Sequence, residues 1–74
     1  MSQFPSLKAK DVEKILLRNG FFFKRQSGSH KIFYHPEKQI SLPVPFHGGD
    51  LPKGTLRAII SESGVEEKEF FKKK

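Results

Sequence analysis

The chain contains no cysteine in its 74 residues, which excludes disulfides, thiolate-rich zinc sites and a cysteine nucleophile together. Its fold must stand on packing alone. No apolar run approaches the roughly 18 residues that a membrane-spanning helix needs. The opening Met1-Ser2-Gln3-Phe4-Pro5 lacks the basic and apolar regions of a signal peptide, so a cytoplasmic protein with no membrane association is expected. Internal repeats, linkers and low-complexity segments are also missing, and one domain over 1–74 is expected, with loose ends at 1–6 and 72–74. At this size folding buries only about 60% of the unfolded chain's surface, so there is room for one small core.

Negative charge is scarce. Eight Asp and Glu stand against 14 Lys and Arg, a formal charge of +6 with histidines neutral. Such a balance biases a chain toward polyanions: RNA, DNA or an acidic protein. The competing explanation is solubility, and the terminal Lys72-Lys73-Lys74 accounts for part of the excess.

What the chain does have is phenylalanine, eight in all, each able to remove roughly 150–250 Å² from water when buried. After a lead-in in which Ser6 is available as a cap, Ala9, Val12, Ile15 and Leu16 fall at helical spacing, with Lys10, Glu13, Lys14 and Arg18 on the other side. This predicts a first helix over 8–19, ended by Asn19-Gly20, with Phe21 folding back on its last turn. A strand follows over 21–25, then turn residues Gln26 to Ser29, a second strand over 30–35, a turn at Pro36-Glu37-Lys38, and a third strand. In the third, Ile40, Leu42, Val44 and Phe46 alternate with Gln39, Ser41, Pro43 and Pro45. Two prolines on one face place that strand at an edge, because each removes a ladder donor. Pro52 suits the first turn of a second helix bearing Leu56, Ile59 and Ile60, which ends at Ser63-Gly64. A short turn over 66–71 seats Phe70.

Tight hairpins force an antiparallel meander, and two amphipathic helices then need one sheet face to bury against. The expected fold class is α+β, a double-stranded-RNA-binding-like α-β-β-β-α domain: a three-stranded antiparallel sheet with two helices on one face and the other face open. This order allows that topology.

Gly28-Ser29-His30 is the best candidate for reaction chemistry. Glycine permits a tight turn, and an imidazole ordinarily titrates near neutrality, as a general acid or base on a ribose 2′-hydroxyl or a 5′-oxygen requires. The plain alternative is a polar residue at a strand start, and no triad is visible. His30, His35 and His47 match no zinc spacing, and Asp50 is the carboxylate that would have to complete a site. Lys24, Arg25 and Lys31 flank the first turn, while Lys53 and the amides near Gly54 and Thr55 open the second helix, where the dipole favours phosphate. These groups are candidate RNA phosphate contacts if they converge on the edge that holds Gly28 to His30; otherwise they are a solvated basic face. Phe33 and Tyr34 alternate across the second strand, so one joins the core and the other is free to stack on a base. Tyr34, whose hydroxyl tolerates water, is the better outer candidate.

Asn19-Gly20-Phe21, Gly28-Ser29-His30, His35-Pro36, Val44-Pro45-Phe46-His47-Gly48 and Lys53-Gly54-Thr55-Leu56 with Ile59 occur in that order. Together they resemble the HicA toxin family, also called YcfA-like proteins, over almost the whole chain. The resemblance implies a type II toxin, an mRNA interferase that cleaves RNA without metal or cofactor and arrests translation. It implies that His30 is the catalytic residue and that Gly28 and Ser29 shape its turn, with the family's second histidine retained at His47 as a possible auxiliary. It also implies an acidic HicB-like antitoxin that covers this histidine and sets the oligomeric state. Two features depart from the pattern: the apolar pair Phe22-Phe23 in the first strand, and the lysine tail. The competing function is a non-catalytic RNA-binding module of the same fold, and a third is a domain whose positive surface only receives an acidic partner.

Overall fold

A computed structural model describes residues 6–46 and 48–71 of the chain. Their order is α1 (Ala9–Arg18), β1 (Phe22–Ser27), β2 (His30–His35), β3 (Ile40–Pro45), α2 (Lys53–Ser63) and a short α3 (Lys68–Phe71). The three strands form one antiparallel sheet in the order β1-β2-β3. This is the double-stranded-RNA-binding-like α+β fold, with α3 as an addition.

Strand alternation decides which face is core. Along β2, Phe33 and His35 are buried, and opposite them on β3 stand Leu42 and Ile40, with Val44 facing Lys31. That face meets Val12, Ile15 and Leu16 of α1 and Leu56, Ile59 and Ile60 of α2, together with Phe21 and Phe70, in a single cluster. His30, Ile32 and Tyr34 therefore look the other way, across from Pro45, Pro43 and Ser41. Pro43 and Pro45 do sit on an edge strand, where the missing N–H groups take nothing from a neighbouring ladder.

The helix boundaries have specific causes. Ser6 does not cap α1; Lys8 occupies the cap position, and the Asp11 carboxylate accepts its N–H at 2.9 Å. The start is displaced because Leu7 and Lys8 are held extended against the far loop: Leu51 N–H donates to the Leu7 carbonyl at 2.8 Å, and Lys8 bridges Asp50. At the other end, Asn19 and Phe21 N–H groups both donate to Leu16, and Gly20 takes φ +95° between them. The bond from Phe21 to Leu16 across a left-handed glycine is the six-to-one contact of a Schellman ending, with Phe21 carried into the core. Phe21 is thus a helix-ending residue, and β1 begins one residue later than the aromatic run predicts.

β1 also runs on to Ser27, because the turn is only Gly28-Ser29. Pro52 caps α2 through its carbonyl, which accepts the Leu56 N–H at 2.9 Å, so it stands one step before the first turn. Gly64 closes α2 in the left-handed region at φ +72°. Buried Ser63 reinforces that end: its hydroxyl donates to the Ile60 carbonyl at 2.9 Å and accepts the Val65 N–H at 3.0 Å. Phe70 is seated in the core as expected.

Candidate functional site

The hairpin between β1 and β2 has a two-residue loop closed by the pair Ser27 and His30. Its first position needs positive φ, and Gly28 supplies +60°, as in a type II′ turn. Two bonds hold the loop in place. The Gln26 side-chain amide donates to the Gly28 carbonyl at 3.1 Å, and Phe46 N–H, just past β3, donates to the Ser29 carbonyl at 2.7 Å. His30 follows at once, its backbone fixed between Ser27 and Pro45 and its side chain exposed on the open face. An exposed imidazole on a backbone tied at both flanks can exchange a proton with a ligand lying across the sheet.

Strand alternation sorts the basic candidates. Arg25 pairs with Ile32 and so shares the open face with His30. Lys24 sits at an irregularity in β1, with its ammonium 4.9 Å from the centre of the Tyr34 ring. Tyr34 is thus the outer aromatic and Phe33 the core one, with Phe33 at 0% exposure. Lys31, next to His30 in sequence, is turned to the helix side. There its Nζ lies 3.8 Å from Glu13 of α1 and 4.4 Å from the centre of the Phe46 ring. Lys53 and Thr55 open α2, which belongs to that same layer. The open face therefore gathers Lys24, Arg25, His30 and Tyr34, while Lys31, Lys53 and Thr55 lie on the helix side of the sheet. His47 lies outside the described residues.

His35 is a different kind of histidine. It is buried, five residues from His30 and on the opposite face, with its ring edge-on to Phe21 at 5.0 Å. Its Nδ1 accepts the Lys38 N–H at 3.2 Å, which shapes the turn into β3. Opposite faces keep the two imidazoles from sharing a ligand, and the described residues include no group of three or more His, Asp or Glu placed to hold a metal ion.

One residue of the open face escaped the sequence reading. Phe22 lies opposite Tyr34, ring centroids 5.8 Å apart and nearly perpendicular, and 46% exposed. Counting back from the Ser27 and His30 pair would put Phe23 opposite Tyr34. The extra residue at Lys24 shifts the register, so Phe23 faces Phe33 and Phe22 comes to the outer side.

Comparison with known families matches residues 9–65 to the family described as HicA toxin of bacterial toxin-antitoxin. No match is found among curated proteins. The matched stretch runs from the first residue of α1 past the end of α2, and so takes in the whole sheet, the Gly28-Ser29-His30 turn and both long helices. The chain belongs to the HicA toxin family of bacterial toxin–antitoxin systems.

Proposed function

We propose that this toxin is an endoribonuclease acting on mRNA, with His30 as its catalytic residue, and that an acidic HicB-like antitoxin neutralises it in the cytoplasm. The observation that carries the reading is the placement of His30. It is exposed at the mouth of a pinned turn, on a sheet face that also carries Lys24 and Arg25, in a chain of the HicA family. The net charge of +6 suits both RNA and an acidic partner.

The chemistry proposed is transesterification, with no bound metal or cofactor. The ribose 2′-oxygen forms a bond to phosphorus while the bond from phosphorus to the 5′-oxygen breaks, leaving a 2′,3′-cyclic phosphate and a 5′-hydroxyl. His30 either takes the 2′-hydroxyl proton or gives one to the departing 5′-oxygen; water or His47 serves the other half. Lys24 and Arg25 supply positive charge beside the phosphates, and Gly28 and Ser29 hold the geometry of the turn.

The test is to incubate antitoxin-free protein and its His30→Ala variant with end-labelled RNA in excess chelator and to map the product ends. Cleavage by the wild type alone, with cyclic phosphate ends, supports the reading. If both proteins bind RNA and neither cuts it, the domain is a non-catalytic RNA-binding module.

A further inference from the structure

Beyond His30, the open face carries an aromatic group that neither the core nor the proton chemistry uses. Phe22 and Tyr34 stand opposite each other on β1 and β2, ring centroids 5.8 Å apart with planes at 69°. Phe22 is among the few large apolar side chains left exposed, at 46%. An exposed aromatic on an edge strand is a liability for self-association, and here it stands among cations: Lys24 lies over the Tyr34 ring at 4.9 Å, and Arg25 is on the same face.

We infer that Phe22, Tyr34 and Lys24 form a stacking subsite for an unpaired RNA base, on the same face as His30 and about four strand positions from it, roughly 13 Å. This rests on the reading of the protein as an RNA-cleaving toxin and adds to it the substrate form: single-stranded RNA. Aromatic planes beside cations are how sequence-tolerant single-strand binding is built, since every base has a π-face and every nucleotide a phosphate. A base inside a duplex has both faces covered by its neighbours and cannot use such a surface.

Lys24 has a second part to play. An exposed ammonium on a ring is weakly held, and its flexible four-carbon stem lets it exchange the ring for a phosphate as the base arrives. The rows of the open face support a directional path. Ser27, His30 and Pro45 come first, then Arg25, Ile32 and Pro43, then Phe22, Tyr34 and Ser41. A strand lying along β2 meets the imidazole at one end, the guanidinium midway and the rings at the far end. The separation from His30 corresponds to roughly four stacked-base rises of 3.4 Å, or fewer nucleotides if the strand is splayed.

The chain has one tyrosine and no tryptophan, so its intrinsic fluorescence reports Tyr34 alone. The experiment titrates the full-length His30→Ala protein, to keep RNA intact, with a single-stranded oligoribonucleotide, an abasic strand of equal length and a duplex. Binding is followed by anisotropy of a label on the RNA and by absorbance-corrected tyrosine emission. The expected result is quenching by the base-bearing single strand only, with affinity about tenfold weaker for the abasic strand and for Phe22→Leu, which keeps apolar bulk without the ring. Tyr34→Phe should retain affinity, and Tyr34→Leu should lose it to a similar degree.

Equal affinity for base-bearing and abasic strands, unquenched emission on saturation, or an unaffected Phe22→Leu variant would each overturn the subsite. These readouts concern binding. Failure of wild-type protein to cleave would refute the catalytic reading alone, and loss of the stacking signal with cleavage intact would refute the subsite alone.

Discussion

Alanine at position 20 would have to meet two demands. Gly20 has φ +95°, in the left-handed region where a Cβ meets the chain's own carbonyl, and a Cβ built there would lie 2.6 Å from His35 Nε2 and 3.1 Å from Cδ2. The backbone part costs about 1–2 kcal/mol. Crowding a packed imidazole costs about 1–3 kcal/mol more, because His35 is buried against Phe21 and holds the Lys38 N–H. Gly20→Ala should therefore lose about 2–5 kcal/mol, much of the roughly 4–11 kcal/mol expected for a domain of this length. Urea unfolding of Gly20→Ala, His35→Ala and the double variant separates the parts. With the ring removed the steric part vanishes, so the double variant should be more stable than the sum of the singles by about 1–3 kcal/mol. Strict additivity, or a loss below about 1 kcal/mol for Gly20→Ala, would refute the close-approach argument.

Other perturbations divide along the two faces of the sheet. His30→Ala should leave the free energy of urea unfolding within about 0.5 kcal/mol of wild type and lower the cleavage rate by about 10²–10⁴-fold, measured on end-labelled RNA. Arg25→Ala should reduce the slope of log affinity against log salt by about 0.7 for single-stranded RNA. Lys31→Ala, whose ammonium is turned to Glu13 and Phe46, should leave that slope unchanged and cost about 0–1 kcal/mol of stability. Ser63→Ala removes the buried hydroxyl that joins Ile60 to Val65 and should cost about 1–3 kcal/mol in urea unfolding.

Element order, the edge position of β3, the core stripes of α1 and α2 and the seat of Phe70 were all legible, because each follows from period or turn chemistry within a few residues. The limits lie where distant segments decide a local outcome. Ser6 is a sound cap by type, yet the start of α1 is set by the contact of Leu7 and Lys8 with the segment around Asp50 and Leu51, more than forty residues away. Phe21 reads as strand beside Phe22 and Phe23, but the backbone bond to Leu16 and the room that Gly20 makes for His35 draw it into the helix end. Among candidate site residues, the turn around His30 followed from glycine chemistry, and the outward Tyr34 from alternation together with a hydroxyl that tolerates water. Lys31 fell on the far side by the same alternation, since a residue adjacent to His30 in a strand cannot share its face.

The irregularity at Lys24 bears most on the proposed function. Without the extra residue, Phe23 would pair with Tyr34 and Phe22 would turn toward the helices; with it, Phe22 joins Tyr34 outside and Phe23 lies against Phe33. A bulge weakens the ladder and leaves a backbone unit unpaired, a cost that packing alone does not call for, since Phe23 remains 48% exposed on the inner side. What the irregularity does accomplish is to put a lysine and two rings within reach of one another on the face that carries His30. The buried core and the proposed chemistry thereby fall on opposite sides of one sheet. The core face tolerates little change, while the exposed residues of the outer face can vary without disturbing what holds the chain together.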